Sequence, residues 1–281
     1  MERLTEIETR ISSFAQLQDV ISVMRSLAAT RVQQAQNALA AIRAYSDTIG
    51  SSIAKAESCL TSDWSGRRRD GSSVHGLILF CGEHGFCGAF NEKLLEAVRE
   101  VPGRSELYVV GSRGALMSQE RKVPVAWSTA MATSIGMITT VAHRVGEALY
   151  DRFSRGGIAD VMMVFARYGG HGHFSIEREM LLPLDLGRFR RYLTGAAPRS
   201  NLTPGRLIDH LIEEYFFAQL VRGATESFAS ENAARVALTQ SARHSIEGRL
   251  EELTSEQRQL RQEQITTEIL EVISGAEALV K

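Results

Sequence analysis

The most constraining feature of the sequence is its last third, from Gly205 to Lys281, which contains no proline. Its apolar residues recur at helical spacing and include Leu207, Leu211, Phe217, Leu220, Phe228, Val236, Leu238, Ile246, Leu250, Leu253, Leu260, Ile265, Ile269 and Ile273. This pattern predicts one continuous helix of roughly 75 residues, about 110 Å long at the standard rise per residue. Pro204 precedes it, at a position where helix starts accept proline. A helix of that length extends beyond a compact domain, so its apolar stripe needs another surface as cover.

A second long helix is predicted over residues 1–58. Apolar residues alternate there at spacings of three and four, giving the period of about 3.5 residues that is typical of left-handed coiled coils. The fifteen positions, twelve of which are apolar, are Leu4, Ile7, Ile11, Phe14, Gln18, Ile21, Arg25, Ala28, Val32, Ala35, Leu39, Ile42, Ser46, Ile49 and Ile53. Because the two helices lie at opposite ends of the chain with a domain between them, we expect them to pair antiparallel.

The end of the C-terminal helix is predicted to extend past its shorter partner by about 30 Å. Its apolar residues spread around much of the helix circumference: Ile265, Ile269, Leu270, Val272, Ile273, Leu279 and Val280. A lone helix with so much apolar surface is not stable in water. We therefore expect this end to occupy a socket on another protein.

Composition and charge narrow the classes of protein. The net charge of −1 gives no support for nucleic-acid binding. No apolar run reaches the roughly 18 residues needed to cross a membrane, and the N-terminus is amphipathic rather than signal-like. We therefore expect a soluble or peripheral protein that stays in the compartment where it is made. Cys59, Cys81 and Cys87 are an odd number of cysteines, which favours reduced thiols over a disulfide framework.

Between the two helices the sequence predicts a polar linker at residues 59–73 and an α/β domain at residues 74–204. Strands are predicted at Val74–Cys81, Leu107–Gly111, Val123–Trp127, Ala159–Arg167 and, at an edge, Phe174–Leu182; helices are predicted at Gly88–Glu100, Ser112–Arg121 and Thr133–Ser154. Alternating strands and helices with short connections indicate an open, mostly parallel, Rossmann-like sheet. The predicted fold class is therefore α/β, with a long antiparallel two-helix coiled coil formed by residues 1–58 and 205–281.

The glycine-rich turn Gly82–Gly88 follows a predicted strand and precedes a helix, which is the setting of a phosphate-binding turn. Its spacing does not match GxGxxG, and GxxxxGK[ST] is absent from the sequence. A tight connection between strand and helix explains the glycines more simply. The sequence thus gives weak support for a nucleotide site.

Two groups of residues resemble metal ligands by type only. Cys81, His84 and Cys87 supply three ligands at an unusual spacing, and Cys81 closes a predicted buried strand. His171 and His173 lie in a glycine-rich loop without a nearby carboxylate. No serine or cysteine has a recognisable base partner. The sequence therefore predicts no catalytic residue, no metal and no cofactor.

Three groups of residues form sequence motifs that helical periodicity alone does not explain. The first is Thr5-Glu6-Ile7, Val23-Met24, Leu27-Ala28-Ala29 and Ala44-Tyr45; the second is Gly85-Phe86-Cys87-Gly88-Ala89-Phe90-Asn91; the third is Ser230-Glu231-Asn232-Ala233-Ala234-Arg235, Arg261-Gln262-Glu263-Gln264-Ile265-Thr266-Thr267-Glu268-Ile269 and Glu271-Val272-Ile273-Ser274-Gly275-Ala276. Together they resemble the gamma subunit of rotary, F-type ATP synthases, in which the second group reads G-L-C-G-G-F-N. The similarity covers both ends of the chain and its overall layout.

This resemblance implies a central-stalk rotor shaft that couples ion translocation through a membrane ring to ATP synthesis or hydrolysis. The implied partners are a ring of three alpha and three beta subunits, the epsilon subunit and the membrane c-ring, with the middle domain as the foot on that ring. The implied functional residues are contacts to the alpha and beta subunits rather than catalysts: Met24, Arg25, Arg235, Gln262, Thr266 and Glu268. The implied location is peripheral, at the cytoplasmic face of the bacterial inner membrane.

The sequence departs from the family in charge. Gln18, Ser22 and Gln33 stand where the family usually has lysine, and Gly205–Lys281 contains eight bases against thirteen acids. These departures weaken the inference of strong electrostatic pairing with acidic loops on beta subunits, and they are typical of a divergent or alternate form.

Two other classes of protein fit part of the sequence. A non-rotary coiled-coil scaffold with an α/β head would explain the long helices and would bind partners without changing ATPase activity. A nucleotide-dependent enzyme built on the α/β domain would need phosphate-binding motifs that the sequence lacks.

Overall fold

A computed structural model describes residues 2–59, 74–101, 103–170, 172–192 and 200–279 of the chain. The predicted linker at residues 59–73 falls almost wholly outside these ranges. Within them the elements follow in the order α1 (Glu2–Glu57), β1 (Val74–Phe80), α2 (Phe90–Arg99), β2 (Arg104–Val110), α3 (Ser112–Glu120), β3 (Trp127–Thr129), α4 (Ile138–Ser154), β4 (Asp160–Gly170), β5 (His173–Leu182) and α5 (Pro204–Leu279). Short 3-10 helices lie at Ile135–Met137 and Leu186–Tyr192.

The chain divides into two compact units, and each long helix contributes to both. The helical unit comprises Met1–Leu27 and Val236–Lys281, and the α/β unit comprises Ala28–Arg235. This division differs from the one expected at residues 1–58, 74–204 and 205–281. The reason is that the second half of α1 and the first half of α5 share buried clusters with the sheet and with the 3-10 helix after β5.

In the helical unit α1 and α5 pair antiparallel. Arg3 forms an ion pair with Glu256 at 3.2 Å, and the Glu8 carboxylate accepts hydrogen bonds from Gln257 and Arg261 at 3.1 and 3.3 Å. Further along α1, Gln18 donates to Glu247 at 3.3 Å. Residue numbers therefore increase along α1 while those of the contacting residues decrease along α5.

The period of about 3.5 residues predicted for α1 is confirmed by burial. Every position of that pattern, from Leu4 to Ile53, is buried or half-buried. Ala28 and Ala35 are among the most buried, at 1% and 0% exposure. Small residues at these positions allow neighbouring backbones to approach closely.

The sheet has the strand order β3-β2-β1-β4-β5. β1 to β4 are mutually parallel, and β5 pairs antiparallel with β4 at the edge. Successive residues of β1 alternate between two buried clusters: Ile78 and Phe80 pack with α4 and α5, whereas Leu77 and Leu79 pack with α2. A parallel sheet covered on both faces is expected to consist of such continuous apolar strands. The predicted α/β class with an open, Rossmann-like sheet is confirmed.

The third strand lies later in the chain than predicted. The expected range was Val123–Trp127, but pairing with β2 begins at Trp127 and ends at Thr129. Pro124 has no amide hydrogen to donate to a ladder, and the amide of Val123 donates instead to Ser118 at 2.9 Å. Most of the apolar residues in the predicted range precede the strand rather than form it.

Gly114 in α3 allows that helix to lie directly against the end of β1. A Cβ atom added at Gly114 would stand 2.2 Å from the Cβ atom of Cys81. Since the atom it meets is next to the backbone, rotation of a side chain cannot relieve the overlap. The close approach of α3 to the sheet therefore depends on glycine at this position.

We expect Gly114→Ala to lower the free energy of unfolding by about 2 kcal/mol or more, because the added methyl overpacks the core. Urea denaturation followed by circular dichroism measures the change. The control is Gly146→Ala in α4, where the added Cβ would be an ordinary 3.8 Å from Leu220. That variant should be neutral or slightly stabilising, because alanine favours helix over glycine by about 1 kcal/mol. Equal losses in the two variants would contradict the overlap.

Candidate functional site

The crevice between β1 and β4 is where an open parallel sheet of this topology usually binds a ligand, because the chain connections leave in opposite directions there. In this protein α5 fills it. The Ser227 hydroxyl donates to the carbonyl of Phe80 in β1 at 2.9 Å and accepts from the amide of Ala166 in β4 at 3.0 Å. Ser230 donates to the carbonyl of Ala166 at 3.0 Å. Both serines are fully buried, so the crevice holds a helix of the same chain.

A carboxylate of the chain occupies the neighbouring anion position. Glu83, just after β1, accepts hydrogen bonds from the amide and hydroxyl of Ser112 at 3.0 and 2.7 Å, and from the amide of Met131 at 2.7 Å. Ser112 is the first residue of α3, and helix N-termini favour anions. Burial opposes ionisation of Glu83, but these hydrogen bonds outweigh it and hold the pKa of its carboxyl below the usual value.

The first two amides of the turn Gly82–Gly88 have partners within the chain. The Gly82 amide donates to the Asn91 side chain at 2.8 Å, and the Glu83 amide donates to Glu231 of α5 at 3.4 Å. Phe86 and Gly88 have φ values of 57° and 58°, so the turn is tightly wound. These contacts support a structural turn rather than a phosphate-binding one.

Arg235 of α5, expected as a partner contact, is only 4% exposed. Its guanidinium donates to the carbonyls of His84 and Gly85 at 3.4 and 3.0 Å, to Glu231 at 2.5 Å and to Asn232 at 3.0 Å. Glu231 is itself 3% exposed, so the pair is buried and has several hydrogen bonds. Arg235 therefore contacts the turn Gly82–Gly88 from within the α/β unit rather than presenting an exposed side chain.

The buried thiols near this turn are poorly suited to bind a metal. Burial, with Glu231 nearby, raises the pKa of Cys81 far above its usual range. Burial also raises the pKa of Cys87 to about 11. Metal ligation requires the thiolate, which these environments disfavour. In the part of the chain that the structure describes, which excludes His171, no cluster of three His, Cys, Asp or Glu residues is arranged to hold a metal.

In the helical unit Met24 and Arg25 of α1 are half-buried. Arg25 lines a shallow cavity of about 270 Å³ together with Gln240, Arg243, His244 and Glu247. Arg243 donates to Glu247 at 2.7 Å, and this hydrogen bond holds the pKa of the Glu247 carboxyl below its usual value. Two arginines and a histidine thus face one glutamate, although α5 as a whole is acidic.

The other expected contacts, Gln262, Thr266 and Glu268, are all exposed on α5. Thr266 donates its hydroxyl proton to the carbonyl of Gln262 at 2.8 Å, and Gln264 donates to Glu268 at 2.8 Å. Residues four apart share one face of a helix, whereas Glu268 lies about 120° around the axis from Gln262. The structure therefore brings Gln262 and Thr266 together and places Glu268 on another face.

Two sets of apolar side chains in the helical unit are exposed. The first is the expected one on α5, with Ile265, Ile269, Leu270, Val272 and Ile273 between 51% and 71% exposed. Leu279 and Val280, expected in the same set, have side chains outside the described part. The second set, on α1, was missed: Leu17, Val20, Val23 and Leu27 are between 45% and 60% exposed. Their spacing of three and four residues was a signal for this second stripe beside the buried one.

A family model described as ATP synthase matches residues 3–279. The chain belongs to the ATP synthase family. Its curated relatives include proteins named ATP synthase gamma chain from Chlorobium phaeobacteroides, 25% identical, and Bdellovibrio bacteriovorus, 28% identical. Each alignment covers 99% of both chains. The predicted resemblance to F-type gamma subunits is confirmed.

Solved ATP synthases contain chains of the same fold. A chain of the Euglena gracilis mitochondrial enzyme, from a structure of its OSCP, F1 and c-ring, matches with a TM-score of 0.65 at 13% identity, covering 99% of this chain and 95% of that one. A chain of the Tetrahymena thermophila central stalk and c-ring matches with a TM-score of 0.60 at 18% identity, covering 79% and 99%. Among the described helices of this family member, none has the length and apolar content to cross a membrane.

We expect Glu83→Gln to lower the free energy of unfolding by about 1 kcal/mol at neutral pH, because it removes charge-assisted hydrogen bonds. A carboxyl whose pKa falls on folding stabilises the native state above its unfolded pKa of about 4.3. That contribution is lost as pH falls through the lower, folded pKa. The difference between wild type and variant should therefore shrink in acid.

Urea denaturation at a series of pH values between about 7 and 3 measures this difference. Glu96→Gln, at an exposed position in the nearby helix α2, is the control and should give a small difference at every pH. A wild-type advantage over Glu83→Gln that stays constant across the series would contradict the role given to the ionised carboxylate.

Proposed function

We propose that this chain is the gamma-type rotor shaft of an F-type ATP synthase, coupling ion translocation through a membrane ring to ATP synthesis or hydrolysis. The observation that carries the proposal is the match of the family model to residues 3–279, nearly the whole chain. In this role the chain is not itself a catalyst. The filled crevice between β1 and β4 supports that assignment, since the usual ligand position of the fold is taken by Ser227 and Ser230.

The proposed partners of the helical unit are three alpha and three beta subunits arranged as a ring. The exposed apolar residues of α5, Ile265 to Ile273, need a dry surface, which a socket formed by the ring would provide. The exposed stripe Leu17 to Leu27 on α1 offers a second apolar contact. The arginine-rich cavity around Arg25 suits an acidic segment of a partner subunit.

In the proposed function, rotation of the shaft is coupled to catalysis because one asymmetric shaft lies in a threefold ring. A single shaft inside a threefold ring presents a different face to each of the three catalytic sites, so each shaft angle favours a different conformation at each site. Nucleotide affinity and shaft angle are therefore linked reciprocally. Met24, Arg25, Gln262, Thr266 and Glu268 are the proposed direct contacts, and Arg235 acts through the turn that it holds.

The α/β unit is the proposed foot of the shaft, bound to the c-ring and the epsilon subunit. Such a foot would join the rotor to a membrane ring, and none of the unit's described helices is long and apolar enough to cross a membrane itself. The proposed location is the cytoplasmic face of the bacterial inner membrane, with attachment through the complex.

The first test is to co-express the chain with the alpha and beta subunits of its own organism and purify the complex by a tag on beta. We expect one copy of the chain for three alpha-beta pairs, and ATPase activity that depends on its presence. A chain that remains separate from alpha and beta would contradict the proposal and favour the non-rotary scaffold.

The second test concerns the face shared by Gln262 and Thr266. We expect Gln262→Ala and Thr266→Ala to reduce coupled turnover severalfold, since losing an interface contact worth about 1 kcal/mol changes binding roughly fivefold. Both side chains are exposed, and the Thr266 hydroxyl donates to Gln262 within α5, so the chain should remain folded. ATP-driven ion pumping in membranes measures coupling, and circular dichroism measures folding.

Thr267→Ala is the matched control for Thr266→Ala. Thr267 is also exposed and donates to the carbonyl of Glu263 at 2.9 Å, so it makes the same kind of bond on a different face. Turnover should be preserved in this variant. Wild-type coupling in both Gln262→Ala and Thr266→Ala would remove these residues from the proposed contact surface.

A further inference from the structure

A stretch of α5 within the α/β unit buries an unusual number of polar side chains. Thr225, Glu226, Ser227, Ser230, Glu231, Asn232 and Arg235 are all buried. Among the described residues, no buried side-chain nitrogen or oxygen lacks a hydrogen-bond partner. Polar groups in a core add little stability over apolar residues of similar size, even when they are well paired. Their presence therefore calls for a role other than stability.

The hydrogen bonds of this stretch reach several other elements. Ser227 joins the end of β1 to β4, and Ser230 makes a second bond to β4. Glu226 accepts from the amide of Tyr168 in β4 at 3.3 Å and from Arg43 of α1 at 2.8 Å. Arg222 pairs with Glu179 of β5. One segment of helix is thus bonded to α1, β1, β4 and β5.

Close backbone packing adds to these bonds. A Cβ atom at Gly223 would stand 2.2 Å from the Sδ atom of Met163 in β4 and 3.3 Å from the Phe80 ring. The helix therefore lies so close to the sheet that a larger residue at this position would require the Met163 side chain to move. This approach brings the hydroxyls of Ser227 and Ser230 within hydrogen-bond range of strand backbone.

Hydrogen bonds differ from apolar contacts in being directional. Apolar packing is roughly proportional to buried area and is tolerant of small sliding or rotation, whereas a hydrogen bond weakens steeply outside a narrow range of distance and angle. Polar groups in helical interfaces are known to fix register at some cost in stability. The serine hydroxyls thus fix both the axial position and the rotation of α5 on the sheet.

We propose that Ser227 and Ser230 form a register lock that transmits torque between α5 and the α/β unit without slip. The inference rests on the proposed rotor function. Torque generated on α5 must pass to the α/β unit before it reaches a membrane ring. Because the lock bonds helix side chains to strand backbone, it resists rotation of the helix against the sheet. Ser227 and Ser230 are positioning residues and touch no nucleotide.

The test uses the whole complex with its membrane sector and compares wild type with the double variant Ser227→Ala/Ser230→Ala. ATP-driven ion pumping and ATP hydrolysis are measured on the same membranes. Each lost hydrogen bond raises the population of a slipped state roughly fivefold. We expect ions pumped per ATP hydrolysed to fall by a factor of about two or more, with the hydrolysis rate retained.

Thr225→Val is the matched control. Thr225 is fully buried in the same stretch, but its hydroxyl donates to Val221 of its own helix at 2.7 Å. This variant removes a buried hydroxyl without breaking a bond from α5 to the sheet, so the pumping ratio should stay at the wild-type value. A purely structural role for buried hydroxyls would lower the amount of assembled complex in both variants and leave both ratios unchanged.

The possible results distinguish failure of the proposed function from failure of the register lock. If the wild-type chain does not assemble with alpha and beta, the proposed function and the lock fall together. If it assembles and the double variant keeps the wild-type pumping ratio, or Thr225→Val lowers the ratio equally, the lock alone is overturned. If the double variant does not assemble, the single variant Ser230→Ala, which leaves both bonds of Ser227 in place, carries the same comparison.

Discussion

The fold of the α/β unit depends on how α5 lies across the carboxyl ends of β1 and β4. Ser227 bridges the two strands, and farther along α5 the buried pair Glu231 and Arg235 holds the turn after β1. If α5 were displaced, the carbonyl of Phe80, the amide of Ala166 and a buried ion pair would lose their partners. Each loss is expensive in a core. The sheet and the long helix therefore fold as one body within this unit.

The same arrangement explains how the usual ligand position of a Rossmann-like sheet is filled here by the chain itself. Parallel strands and helix N-termini create donors that attract anions, and the fold ordinarily leaves them for a phosphate. In this chain the Glu83 carboxylate accepts hydrogen bonds from the amides of Ser112 and Met131, and Glu231 accepts one from the amide of Glu83. Internal carboxylates and serines thus take the place of a nucleotide.

The sequence predicted most reliably those features that depend on residues near one another in the chain. The heptad positions of α1 are all buried or half-buried, as their spacing predicted. Periodicity could be predicted because it is visible within a local stretch of sequence. β3 was misplaced because the apolar run at residues 123–127 looked like a strand, although Pro124 cannot donate to a ladder. The burial of Arg235 and the role of Glu83 depend on partners 150 and 48 positions away, the Gly85 carbonyl and the Met131 amide. Spacing alone contains no information about such contacts.

Coupling by a shaft requires that its contacts differ from one angle to the next, since a ligand or partner shifts an equilibrium only by its differential affinity. Apolar contacts such as those of the exposed residues Ile265 to Ile273 are non-directional and tolerate rotation, so they suit a bearing. The polar features are one-sided: the arginine-rich cavity contains Arg25, and Gln262 and Thr266 share one face of α5. Under the proposed function we therefore expect angle-dependent binding to come from these features, while the apolar surface supplies the affinity that keeps the shaft seated.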